Sequence, residues 1–69
     1  MNIVQVDLET QVDGGKAQMT TWVNDRPELK PGIYIELKDV DGVWEVKKIY
    51  NDIHSSNEFD WHRKWDNNI

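Results

Sequence analysis

Apolar and polar residues alternate with a period of two over most of the chain, and turn residues break the alternation at regular intervals. Val4, Val6 and Leu8 fall on one face of a first segment and Gln5, Asp7 and Glu9 on the other, which predicts a half-buried strand. Asp13-Gly14-Gly15 follows, and glycine accepts the positive φ that a tight turn asks for. A second segment places Ala17, Met19, Thr21 and Val23 on one face and Gln18, Thr20 and Trp22 on the other. Residues 3–23 therefore read as a β-hairpin.

Residues 24–32 read as a connector. Asn24 or Asp25 could cap a short helical turn with Pro27 near its first position, and Pro31-Gly32 forces a further turn. Ile33, Ile35 and Leu37 then alternate with Tyr34, Glu36 and Lys38 in a third strand. Asp39 to Gly42 reads as a hairpin loop in which Gly42 suits a left-handed or bulge position. The fourth strand, Val43 to Tyr50, has a slip in its pattern. Trp44 and Val46 share a face, Ile49 is out of phase with them, and Lys47-Lys48 is the expected bulge.

Asn51 to Asn57 is polar and reads as a loop. The last segment has two readings: a short fifth strand near 57–62 with a tail beyond it, or a helical turn with Trp61 and Trp65 stacked at i and i+4. Short antiparallel strands in a meander, with a Pro-Gly turn ahead of one of them, predict a mainly β fold. The expected architecture is a small SH3-like antiparallel barrel of four to five strands, filling about residues 2–62, with a C-terminal tail over 63–69. An oligonucleotide-binding-type barrel fits less well, because it usually has a longer chain and a helix between its third and fourth strands.

The length agrees with a single domain: 69 residues bury only about 60% of the surface the unfolded chain exposes, so each large apolar side chain matters. Charge narrows the partners. Eight Lys and Arg against 13 Asp and Glu leave a net charge of −5, which does not draw phosphate backbones over distance. There is no cysteine, so neither a disulfide framework nor a thiolate metal site is expected, and His54 and His62 lack the spacing of a zinc pair. Asp39-Val40-Asp41-Gly42 opens like a calcium loop, but its twelfth position is Tyr50 rather than a glutamate. The N-terminus has no signal-peptide pattern and no apolar run is long enough to span a bilayer, so a cytoplasmic, membrane-free location is expected. No nucleophile elbow, phosphate loop or dinucleotide fingerprint occurs, and a barrel this small leaves little room for a pocket. The expectation is a non-enzyme with no cofactor and no metal.

Thr21-Trp22-Val23, the run Leu29-Lys30-x-Gly32-x-x-Ile35-x-Leu37-Lys38-Asp39, Trp44-Glu45-Val46 with Tyr50, and the ending Trp65-Asp66-Asn67-Asn68-Ile69 carry a resemblance. From residue 16 onward the chain is similar to a group of very small proteins encoded by tailed bacteriophages, whose members are treated as of unknown function. The Lys-x-Gly…Leu-Lys-Asp part also fits many SH3-like barrels; the Trp-Asp-Asn-Asn-Ile ending is more distinctive. The resemblance implies a phage origin and action in the host cytoplasm, and brings no catalytic or binding residue with it.

Candidate contact residues come from the aromatics. Four tryptophans in so short a chain are many, and Trp is enriched at interface hot spots. Trp44 lies on the inward phase and is expected in the core. Trp22 lies on the outward phase, either covered by the C-terminal segment or exposed. Trp61-His62-Arg63-Lys64-Trp65 is the one aromatic-basic cluster, bracketed by Glu58, Asp60 and Asp66.

The leading expectation is a protein-interaction module that uses Trp22, Tyr34, Trp61 and Trp65 as apolar anchors. It would engage a host protein, a phage protein or a second copy of itself as a homodimer. The alternatives are single-stranded nucleic-acid binding through His62, Arg63, Lys64 and the flanking tryptophans, which net charge disfavours, and an acidic decoy built on Glu36, Asp39, Asp41 and Glu45. The bland reading of Trp61 and Trp65 is that they pin the C-terminal segment to the barrel.

Overall fold

The computed structural model describes residues 2–55 and 59–64, and these form five antiparallel strands in one curled sheet. The strands are β1 (Asn2–Val12), β2 (Gly15–Asn24), β3 (Tyr34–Leu37), β4 (Val40–Ser55) and β5 (Trp61–Arg63). The fold is mainly β, as the alternation predicts, and no helix occurs among the described residues. The order across the sheet is β2-β1-β4-β3-β5. This corrects the expected meander: β4 leaves its hairpin with β3 to pair with β1, and β5 returns to the far side of β3.

β1 and β2 pair over ten consecutive positions without a shift, from Ile3 opposite Asn24 to Val12 opposite Gly15. The turn between them is Asp13-Gly14, with Gly14 at a φ of 82°. The inward face of this hairpin is the expected one, with Val4, Val6, Leu8 and Val23 buried and Ala17 and Met19 packed against them.

The connector makes two tight turns instead of a helical one. The Leu29 amide donates to the Arg26 carbonyl at 3.0 Å around Pro27, and the Ile33 amide donates to the Lys30 carbonyl at 3.4 Å around Pro31-Gly32. Pro31 supplies the fixed negative φ, and Gly32, at a φ of 99°, supplies the positive one that a type II turn needs. Leu29 and Ile33 are buried and anchor the connector to the core. The Gly32 amide donates to the Val46 carbonyl at 2.8 Å, which extends the β3–β4 ladder beyond β3 itself.

β4 holds the barrel together because it serves two ladders, with β3 through Val40–Glu45 and with β1 through Glu45–Ser55. The expected bulge is present. Asp7 faces Lys48 and Leu8 faces Val46, so Lys47 is the extra residue, and the inward alternation resumes at Ile49 opposite Val6. Gly42 occupies a second irregularity, between the Leu37–Val40 and Ile35–Trp44 pairs, at a φ of 98°. The polar run Asn51–Ser55 is strand and not loop, because Asn2, Ile3 and Val4 of β1 take Ser55, His54 and Ile53 as ladder partners.

The core gathers residues from every strand. Val4, Val6, Leu8, Val23, Ile35, Trp44, Val46 and Trp61 pack together with Leu29 and Ile33. β5 begins later than expected, at Trp61, and its register sets Leu37 opposite Trp61 and Ile35 opposite Arg63.

Candidate protein-contact surface

The two edge strands of the curled sheet, β2 and β5, come together at one end through side chains. The Trp61 indole Nε1 donates a short hydrogen bond to the Asn24 carbonyl at the end of β2. Arg26, just beyond β2, donates to the Trp61 carbonyl at 2.7 Å and to Asp60 Oδ1 at 2.6 Å, and its guanidinium lies 4.7 Å from the centre of the Trp61 ring. The Trp61 amide donates to the same Asp60 oxygen at 2.8 Å. Asn24 is buried with them, and its side-chain Oδ1 has no hydrogen-bond partner among the described residues.

Beyond this clasp the two edges diverge. The gap is a groove of about 180 Å³ between Thr21 and Trp22 of β2 and Leu37, Val40 and Phe59 opposite, with Lys38, Asp39 and Asp60 on its rim. The outer edge of β2 is unpaired among the described residues. Antiparallel ladders turn both polar groups of alternate residues to the same side. The Asp25 amide donates to the Asn2 carbonyl, toward β1, while the Asn24 carbonyl faces away toward Trp61. By this alternation Lys16, Gln18, Thr20 and Trp22 also present their backbone groups to the open side.

The candidate residues fall into separate places. Trp22 is half-buried on the outer face. Its ring meets His54 of β4 edge-to-face at 4.9 Å, reaching across β1, and Ile3, which faces Asn24 on one side and His54 on the other, is buried there. Trp22 is thus covered by His54, a partner that neither sequence reading named. Tyr34 is 41% exposed and lines a different cleft of about 210 Å³ with Thr10, Val43 and Glu45. Trp61 is 0% exposed, which corrects its reading as a surface anchor: it is a core residue that fastens the C-terminal segment to the barrel. His62 and Lys64 are exposed and Arg63 is partly buried. Lys64 Nζ sits 3.7 Å from Glu36. Trp65 lies outside the described residues.

A buried Trp61 has no ring face for a base to stack on, so the nucleic-acid reading loses half of its aromatic pair. The decoy reading loses its continuous acid face, since Lys64 and Lys47 stand 3.7 Å from Glu36 and Glu45. The residues that sequence reasoning missed are Asn24, Arg26 and Asp60. They meet across 34 to 37 positions of chain, and no local pattern marks them.

A cleft of about 470 Å³ lies on the outer face of β2-β1-β4 and holds the polar network. Thr20 Oγ1 donates to Asp7 Oδ1 at 2.6 Å and the Tyr50 hydroxyl donates to Asp7 Oδ2 at 2.9 Å. These two bonds, the Thr20 one foremost, hold the Asp7 carboxyl below its ordinary range, and the same contact raises Tyr50. Gln18, which donates to Glu9 Oε1 at 3.0 Å, does the same for Glu9, aided by Lys16 at 3.5 Å. Partial desolvation raises Asp60, but the Trp61 amide and Arg26 outweigh it and leave that carboxyl low as well. Asp7 and Glu9 have both carboxylate oxygens engaged and Asp60 has one, and all three stay ionised at neutral pH, which makes them poor proton acceptors.

The pH dependence follows with a definite sign. Each of these carboxyls titrates lower in the folded chain than its ordinary value, so its stabilisation is complete above that value and disappears as pH falls through the folded one. The ordinary values are 3.8 for Asp7 and Asp60 and 4.5 for Glu9. The urea midpoint should stay flat from neutrality to about pH 5 and fall below about pH 4. Asp7→Asn should flatten part of that fall; an unchanged profile would show that the Thr20 and Tyr50 bonds are not maintained in solution.

Comparison of the chain with known protein families, with characterised proteins and with solved structures finds no match.

Proposed function

We propose that this chain is a small non-enzymatic protein-interaction module, a phage protein that acts in the host cytoplasm, and that its contact surface is the open edge of β2 with the adjoining groove. The observation that carries the reading is the character of that edge. Natural sheets guard their edges with short strands, proline, bulges or charges. β2 has ten residues, no proline, no register shift against β1 and a single charge, Lys16. β5, the other edge, is three residues long and runs into charged Arg63 and Lys64. A long unguarded edge beside an apolar groove suits the addition of an extended strand, in which main-chain bonds supply affinity and the groove takes alternate side chains.

This reading keeps Trp22 as an anchor at the groove and sets Trp61 aside. The resemblance to tailed-phage proteins supports the setting. The saturated carboxylates of the outer face support the absence of catalysis.

Gln18→Pro tests it. The Gln18 N–H points to the open side, so proline removes a donor to a partner strand while leaving the β1–β2 ladder whole. Affinity capture from host lysate should recover a partner with the wild-type chain and lose at least about nine-tenths of it with Gln18→Pro, as expected when one central main-chain bond of about 1.5 kcal/mol is lost. Equal recovery by both chains, with the variant's circular dichroism unchanged, would refute the edge as the contact surface.

A further inference from the structure

We infer that the strand added to β2 is β2 of a second copy of this chain, giving a two-fold dimer with Met19 on the axis; this rests on the reading of β2 as the contact edge. Among the described residues the free run of main-chain groups is Lys16, Gln18, Thr20 and Trp22, because the next residue in the series, Asn24, already gives its carbonyl to Trp61. That run is symmetric about Met19. Laid antiparallel on itself, it sets Lys16 opposite Trp22 and Gln18 opposite Thr20, and each facing pair can exchange both of its N–H···O bonds. Ala17 then faces Thr21, and Met19 meets Met19 of the other copy across the axis. Side chains keep their faces, inner against inner and outer against outer, so the sheet runs on without a change of side.

Charge favours this occupant. The chain carries a net −5, so two copies repel over most of their surfaces. β2 holds no acidic residue. In the symmetric register its one cation meets no like charge. Lys16 of the second copy arrives beside the Trp22 ring, where a cation can lie over the aromatic face, at the mouth of a groove whose rim charges, Lys38 and Asp39, balance, since Asp60 is already paired with Arg26. A register centred on Thr20 would need the Asn24 carbonyl, and the clasp has taken it.

Sedimentation equilibrium of the wild-type chain from micromolar to millimolar concentration should show a monomer passing to a dimer. Over the same range the amide protons of Lys16, Gln18, Thr20 and Trp22 should slow in exchange by about tenfold or more, while other exposed amides stay unchanged. The chain has no cysteine, so Met19→Cys gives an unambiguous link: mild oxidation should join two copies through residue 19. Thr21→Cys alone should not join, and a mixture of Ala17→Cys and Thr21→Cys chains should join only as the mixed pair. A monomer at every concentration overturns the inference, and so does a dimer in which those four amides exchange as before. If the chain is monomeric yet Gln18→Pro still loses a captured protein, the edge stands as a contact surface and only the second copy is refuted. A monomer whose capture is indifferent to Gln18→Pro refutes both.

Discussion

Trp61→Ala is expected to cost about 3–5 kcal/mol, a large share of the stability of a chain this short, which is about 3–10 kcal/mol. Three losses coincide at this residue. The ring is fully buried among residues from the other strands, so its removal leaves a cavity that a barrel of this size cannot close. The Asn24 carbonyl loses its donor, and Asn24 is already buried with an unpartnered side-chain oxygen. Arg26 loses the ring beneath its guanidinium. β5 then keeps its short ladder with β3 and the Arg26 bonds to Asp60 and to the residue-61 carbonyl, but the indole link to the end of β2 is gone. Urea unfolding followed by circular dichroism should show the midpoint falling by the equivalent of about 3–5 kcal/mol, which leaves the variant mostly unfolded without urea if the wild-type stability lies at the low end of its own range. Trp61→Phe separates the causes: it keeps most of the packing and loses the Nε1 bond, so it should cost about 1–3 kcal/mol. A Trp61→Ala chain that unfolds within about 1 kcal/mol of wild type would mean that β5 does not close the barrel.

That clasp marks the limit of what the sequence lets one read. The inward faces of β1 and β2 are legible because Val4, Val6, Leu8 and Val23 keep period two along one stretch of chain, and the Asp13-Gly14 turn sets their register. The Lys47-Lys48 bulge is legible because Ile49 falls out of phase with Val46, and an extra residue is the cheapest way to bring it back. Asn51–Ser55 is illegible as strand: its residues are polar or exposed, and only its pairing with the start of β1 keeps it extended. The sheet order is equally hidden, because β1–β4 and β3–β5 are long-range pairings that local propensity does not encode.

The candidate site divides the same way. Trp61 looks like a contact residue on composition, since an aromatic beside His62, Arg63 and Lys64 has the chemistry of an interface. What decides its place is Arg26, 35 residues away, whose bond to the Trp61 carbonyl draws β5 against the end of β2. Trp22 reads correctly as outward. Its cover comes from His54, which belongs to a stretch that reads as loop. The open edge of β2 could have been suspected from its low charge, but which strand ends as an edge follows only from topology.

Leu8→Ala is expected to cost about 2–3 kcal/mol, toward the lower end of the usual range for a buried leucine. Leu8 sits at the centre of the barrel wall, facing Met19 of β2 on one side and Val46 of β4 on the other, and it is 1% exposed. Losing its isobutyl group opens a cavity beside the Lys47 bulge, where β4 bends from one ladder to the other. The cost stays at the low end because Met19 is only partly buried and is unbranched, so it can swing into part of the space. Leu8→Met should therefore cost less than about 1.5 kcal/mol, since it keeps the volume with a more pliable side chain. Lys47→Ala, at the bend itself but facing solvent, should stay within about 0.5 kcal/mol. Chemical denaturation of the three variants ranks them directly. If Leu8→Ala and Lys47→Ala proved equal, the wall shared by β2, β1 and β4 would not be packed as a core, and the sheet that the proposed dimer would extend would lose its rigid base.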